Sequence, residues 1–234
     1  MKNLCLIPAR SGSKGLPGKN TRPLNGKKLL EYTYETAMSA KLIDRIVLST
    51  DCPVIAATAL PYQVQVPFIR PAYLAEDTTP TSDVVKHAVD FYDQCGEHFD
   101  LVILLQATCP FRKAGFVDQC IEHFIESGAD SFCSVMQVPH QFNPHWVFEP
   151  DENGFLKIST GDEKIIPARQ MLPPAFARDG SVYIFKTDTI RNNKSVYGNK
   201  MSFLDSANQW HVNIDTMDDW AKAEMISNVL CSSN

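Results

Sequence analysis

Over its first 138 residues the chain alternates short apolar runs with amphipathic stretches, and this alternation limits what it can fold into more than any other feature. Apolar runs at 4–7, 45–49, 63–69, 101–105 and 131–138 have the length and content of buried strands. The stretches at 28–40, 53–60, 81–94 and 115–127 carry the helical spacing. Strand–helix alternation predicts a parallel sheet with helices on both faces, an α/β fold of Rossmann-like kind. Runs at 182–185 and 210–214 return as expected strands, and 217–230 reads as a closing helix with Thr216 at its N-cap. Ligands of such sheets bind at the carboxyl ends of the strands. Residues 10–20, Asp51, 70–81 and 106–112 each follow an expected strand directly, so they are expected to share one edge and one site.

The first of these segments is chemically distinctive. Leu4-Cys5-Leu6-Ile7 runs into Pro8-Ala9-Arg10-Ser11-Gly12-Ser13-Lys14-Gly15-Leu16-Pro17-Gly18-Lys19-Asn20. Three glycines at spacing three let backbone come close to a ligand. From Met1 to Leu30 there are seven Lys or Arg, and the first acid is Glu31. A cationic loop rich in N–H groups at the end of a first strand suits a polyphosphate. It is not a Walker A loop, since Ser13 and Asn20 stand where Gly and Ser or Thr are needed, and the glycine spacing does not fit the dinucleotide fingerprint.

The order Arg, Gly, Lys-Gly, Pro-Gly-Lys-Asn resembles the signature loop of the CMP–sugar-acid synthetases, the acylneuraminate cytidylyltransferase family. Four more blocks resemble that family in order: Arg70-Pro71-Ala72-Tyr73-Leu74-Ala75-Glu76-Asp77, Leu104-Leu105-Gln106-Ala107-Thr108-Cys109-Pro110-Phe111-Arg112, Arg169 to Pro173 with Gly180 to Ile184, and Asn213-Ile214-Asp215-Thr216. The resemblance spans residues 7 to about 219, nearly the whole chain. It implies transfer of CMP from CTP to the 2-hydroxyl of a nine-carbon 2-keto sugar acid of sialic, legionaminic or pseudaminic type, with release of pyrophosphate. The runner-up is the eight-carbon 3-deoxy-manno-octulosonate cytidylyltransferase. A catalytically weak nucleotide-binding homologue is the rival of another class.

Such a transfer needs triphosphate charge neutralised and pyrophosphate stabilised as it leaves. Arg10, Lys14 and Lys19 are the candidate catalytic residues. The resemblance implies a nucleotide site of Arg10, Ser11, Gly12, Lys19, Asn20, Arg70, Thr79 and Thr81, with Arg70 at the base or paired with Asp77. It implies a sugar site of Gln106, Arg112, Arg169, Arg178 and Tyr183. Arg112 would orient its loop or the sugar, and Tyr183 would cover the sugar or fill the core. Mg²⁺ is the expected cofactor, with Asp215 as ligand and Asn213 as second candidate. Relatives often have Asp where Asn213 stands. Asn can ligate through its carbonyl or hold a metal-bound water but cannot be a general base. On this view Asn213→Asp is expected to be tolerated.

Composition sets the remaining expectations. With 234 residues, 44% hydrophobic, the chain can bury one full core, so residues 1–234 are expected to form one nucleotidyltransferase domain. A net charge of −5 argues against nucleic acid as partner. No run approaches a membrane span, so no membrane partner is expected. Seven cysteines without a CxxC fit reduced thiols of a cytoplasmic protein. The rhythm breaks at about 139–178, where prolines and aromatics crowd and Asn153-Gly154 marks a hairpin. This insertion is expected to be a dimerisation arm, and the protein a homodimer.

Overall fold

In the computed structural model, which describes residues 1–193, 195–207 and 209–232, the alternation becomes a layered α/β fold. The first half contains β1 (Asn3–Pro8), the short strands β2 (Pro23–Leu24) and β3 (Lys27–Lys28), α1 (Leu29–Ser39), β4 (Arg45–Ser49), α2 (Pro53–Ala57), α3 (Thr81–Gln94) and β5 (Leu101–Leu104). The second half contains α4 (Phe116–Ser127), β6 (Ser131–Gln137), β7 (Phe148–Pro150), β8 (Leu156–Ile158), β9 (Phe176–Lys186), α5 (Thr187–Asn193), β10 (Met201–Asp205) and α6 (Met217–Ser232). Six strands form one sheet in the order β10-β6-β9-β5-β1-β4. All run parallel except β9, which is antiparallel to both β5 and β6.

Alternate side chains of each strand feed opposite faces, as the period of two requires. Cys5 and Ile7 of β1 pack with Leu30 and Tyr34 of α1 and with Ile121 and Phe124 of α4. Leu4 and Leu6 pack on the other face with Val85, Val89 and Tyr92 of α3 and Ile190 of α5. A third cluster gathers Leu16, Leu24, Leu29, Val212 and Ile214 around Trp220 and Ala223 of α6. That cluster seats the glycine-rich loop, because Leu16 is its anchor in the loop.

Two expected strands are corrected. Residues 63–69 form only a single bridge, Gln65 to Val47, because Pro67 interrupts the run and offers no N–H to a ladder. Residues 210–214 form no strand: Ile214 donates its N–H to the Thr108 carbonyl at 2.9 Å, and the sheet edge is taken by β10 instead. β9 begins at Phe176, six residues before the expected 182. No helix among the described residues is long and apolar enough to cross a membrane.

Between β6 and β9 the chain leaves the sheet and returns. Gln137 and Phe176 are paired neighbours, so the excursion starts and ends at one rung of the ladder. Its hairpin β7–β8 turns at Gly154 (φ 82°), with the Asp151 carboxylate accepting from the N–H groups of Asn153 and Phe155. Phe142, Phe155, Leu156 and Met171 are each more than 60% exposed.

Candidate active site

The carboxyl ends of β1, β4 and β5 lie at one edge because the three strands are parallel. The loops after β1 and β5 line one cavity of about 520 Å³ together with residues of the 70–81 segment, while the loop after β4 brings Asp51 against Ser11. The loop after β1 is pinned at several points. Leu16 is buried against the α6 cluster. Gly15 passes so close to Asp215 that a Cβ there would sit 2.3 Å from the Asp215 carbonyl oxygen. Gly18 takes a left-handed conformation (φ 69°) that lets the following helical turn start. Asn20, nearly fully buried, donates from Nδ2 to the Arg10 carbonyl at 2.9 Å and closes the loop on itself.

The cations of the loop are held by acids from other segments. Lys14 Nζ lies 2.5 Å from Asp77 Oδ2, and Arg10 donates to Asp77 Oδ1. The Lys14 hydrogen bond, with Arg10 beside it, holds the Asp77 carboxyl below its ordinary value. Lys19 donates from Nζ to Asp215 Oδ1 and to the Ile214 carbonyl, each at 2.8 Å. Ser11 donates its N–H and its hydroxyl to the two oxygens of Asp51, at 2.9 and 2.6 Å. Partial burial would raise the Asp51 carboxyl, but the Ser11 bonds and the Arg70 charge outweigh it and hold it low. Arg70 is only 4% exposed, and its nearest acid is Asp51 at 3.9 Å rather than Asp77. Burial lowers its pKa, and its Nε is buried without a hydrogen-bond partner. A buried donor left unpaired is costly, which makes Arg70 a strong point of attachment for an acceptor.

Most of the residues singled out from the sequence meet here. Arg10, Lys14, Lys19, Asn20, Arg70, Thr79, Thr81, Gln106, Asn213 and Asp215 all line the cavity. Ser11 and Gly12 do not, Ser11 being spent on Asp51. Arg178 and Tyr183 line a second cavity of about 230 Å³ that shares Thr81 and Gln106 with the first. There Arg178 donates to the Tyr197 hydroxyl at 2.8 Å, and Tyr183 is buried edge-on to the Tyr197 ring. Arg112 lines neither. Its guanidinium donates to the carbonyls of Gln106 (2.6 Å) and Ser181 (2.9 Å) and to the Thr33 hydroxyl, so it braces the Gln106 loop. Arg169 lies apart, in a cavity at the root of the 138–175 excursion with His140 and Asn143. The sequence placed Asp51 and Asp77 at this edge without their roles, Asp77 as clasp of the loop and Asp51 as its support, and it missed Tyr197. Asp77 and Asp51 sat in or beside the strand-end segments, whereas nothing in the sequence around Tyr197 marks it.

Among the described residues no group of three or more His, Cys, Asp or Glu gathers as a metal cage. Asp215 has a side chain 61% exposed at the cavity, with Lys19 on one oxygen and the Asn213 amide on the other. A hard cation that takes one carboxylate, polyphosphate oxygens and water needs no more protein than this.

The chain is similar to several known proteins along most of its length. A cytidylyltransferase family profile matches residues 4–215. A CMP-N,N'-diacetyllegionaminic acid synthase of Legionella pneumophila is 38% identical over 233 residues, covering 97% of this chain and 96% of its own. A pseudaminic acid cytidylyltransferase of Campylobacter jejuni is 30% identical and covers 98% and 97%. An N-acylneuraminate cytidylyltransferase of Streptococcus agalactiae is 29% identical, with 94% of this chain matching 52% of that longer protein. A solved CMP:2-keto-3-deoxy-manno-octonic acid synthetase bound to CTP shares the fold, with a TM-score of 0.72 at 15% identity over 97% and 99% of the two chains.

Proposed function

The chain belongs to the cytidylyltransferase family, and we propose that it joins CTP to a nine-carbon 2-keto sugar acid. The observation that carries this reading is the convergence of Arg10, Lys14 and Lys19 with Arg70, Gln106 and Asp215 on one cavity at the strand ends. In the reaction the sugar's anomeric 2-hydroxyl oxygen attacks the α-phosphorus of CTP. A P–O bond forms to the sugar, the P–O bond to the β-phosphate breaks, and pyrophosphate leaves with that electron pair. The hydroxyl proton passes to water, since the Asn213 amide has no basic oxygen. Lys19, Arg10 and Lys14 neutralise the triphosphate and the departing pyrophosphate. The shared acids Asp77 and Asp215 hold these cations in place.

Arg70 and the Thr79–Thr81 turn lie where the base would enter. Gln106, Thr81 and the second cavity lie where the sugar acid would sit. Mg²⁺ fits as cofactor, held through Asp215, and would supply charge neutralisation on the triphosphate. The apolar arm supports a homodimer, and Arg169, which lines a cavity in the arm and not the strand-end cavity, would serve the partner's sugar carboxylate. Seven free thiols support a reducing, cytoplasmic setting.

Pyrophosphate release from CTP, measured over a panel of eight- and nine-carbon 2-keto acids, tests the reading. Turnover with a nine-carbon acid and CTP, and little with UTP or ATP, is expected. Equal rates with any nucleotide, or turnover with the eight-carbon acid alone, would refute it.

A further inference from the structure

We propose that Cys109 is a positioning residue of the transfer site: its thiol fixes the Asn213 amide so that the amide donates to Asp215, which in turn receives Lys19. The inference rests on the cytidylyltransferase reading but concerns a side chain that the reading does not use.

Cys109 sits in the turn after β5, where its N–H donates to the Gln106 carbonyl at 3.3 Å, and it is 3% exposed. Its Sγ lies 3.4 Å from the Asp179 carbonyl oxygen and 3.7 Å from Asn213 Oδ1. Asn213 Nδ2 lies 3.1 Å from Asp215 Oδ2, and Asp215 Oδ1 accepts from Lys19 at 2.8 Å. These contacts join four side chains from three distant segments into one chain of hydrogen bonds.

The direction of that chain follows from the chemistry of its members. An ionised carboxylate only accepts, so the Asn213 amide must turn its N–H toward Asp215. The amide oxygen then faces the sulfur, whose single proton it shares with the nearer Asp179 carbonyl. Flipping the amide would set its oxygen against a carboxylate oxygen. The sulfur is itself confined. A Cβ on Gly180 would come within 3.1 Å of it and 3.4 Å of Gln106 Oε1, so β9 packs at Gly180 directly on Cys109 and Gln106. The bond from the Ile214 N–H to the Thr108 carbonyl ties the Asn213 segment to the same turn. Cys109 thus bridges the strand that frames the sugar side and the segment that carries Asp215.

Asn213→Ala removes the donor that Asp215 receives without adding a charge that Mg²⁺ on Asp215 would accept, so it is the variant that reads this chain.

The test is a double-mutant cycle in pyrophosphate release, with melting temperature followed for every variant. Cys109→Ala is expected to lower kcat about tenfold while the KM for CTP stays within about twofold, as loss of positioning rather than of ground-state binding does. Cys109→Ser keeps a donor and should recover most of the rate. In an Asn213→Ala background, Cys109→Ala should cost little more, because the amide that it positions is gone. Asn213→Ala probes the chain from its exposed end, without disturbing the core, and should also lose about tenfold in kcat. Wild-type kcat in Cys109→Ala or in Asn213→Ala would overturn the proposal. So would fully multiplicative effects in the cycle, or Cys109→Ser as poor as Cys109→Ala. If Cys109→Ala does not fold, the Cys109→Ser and Asn213→Ala variants decide. A wild-type protein that releases no pyrophosphate refutes the cytidylyltransferase reading instead, so the two failures are distinct.

Discussion

The strand-end cavity and the 138–175 excursion are built on opposite principles. At the cavity, nearly every polar group is tied to a residue far away in sequence. Lys19 meets Asp215, Arg10 and Lys14 meet Asp77, and Ser11 meets Asp51. In the excursion the bonds are local: Asn143 to the Pro173 carbonyl, Trp146 to the Ile166 carbonyl, His145 to Asp162. Its large apolar side chains face outward. The first region is cross-braced by segments that the sheet brings together. The second is held by bonds within itself.

Breaking the braces should cost most. Lys19→Ala removes both a phosphate cation and the partner of Asp215, and kcat/KM should fall by about 100-fold or more. Near-normal turnover in a folded variant would show that the loop does not serve the phosphates.

Gly15→Ala is the next largest. The added Cβ must push the loop off the Asp215 backbone, and a loss on the order of tenfold or more in kcat is expected, since small misplacements are costly at a reacting centre. An unchanged rate would mean that the loop's seat is not part of the site.

For the arm, Phe155→Asp with Leu156→Asp tests the proposed homodimer, with a shift from dimer to monomer by light scattering as the expected outcome. If Arg169 serves the neighbouring subunit, mixing inactive Lys19→Ala with Arg169→Ala chains should restore about a quarter of wild-type activity, through mixed dimers with one intact site. No recovery after exchange would show that Arg169 does not serve the neighbouring subunit.

The smallest effect sharpens the comparison through pH. The Asp51 carboxyl is held below its ordinary 3.8, burial being outweighed by Ser11 and Arg70. A depressed carboxylate adds stability above its unfolded pKa, and that stability is lost as pH falls through the folded value. Asp51→Asn should therefore melt a few degrees lower at pH 7, about 1 kcal/mol for a charge-assisted bond, and the gap should close in the acid range below 3.8. A gap that persists unchanged in acid would remove Asp51 as a loop support.

What the sequence showed and hid follows the same division. The sheet and its cavity were legible because alternation and strand-end motifs are local patterns, and Arg10, Lys19, Arg70, Gln106 and Asp215 sit in them. The strand at 201–205 was missed because its exposed Met201 and Phe203 do not read as a buried run. Residues 210–214 read as a strand because Trp210, Val212 and Ile214 alternate, yet Val212 and Ile214 are buried against α6 rather than in the sheet. Tyr197 became visible only when β9 and its following helix brought it over Arg178. For Arg112 the sequence left two readings, orienting its loop or the sugar, and the structure shows it bracing the loop through the Gln106 carbonyl. Its other two acceptors, on Thr33 and Ser181, belong to residues that no local pattern joins to it.

The paired rung Gln137–Phe176 has a consequence for how such an enzyme can change. A segment whose two ends lie one strand spacing apart, about 5 Å, spans no gap in the body it leaves. It is a detachable cassette: lengthening, shortening or exchanging it leaves the ladder on either side in register. The catalytic floor can then stay constant while the cassette drifts, and new acceptor sugars can be tried by recombination without rebuilding the machinery that handles the nucleotide.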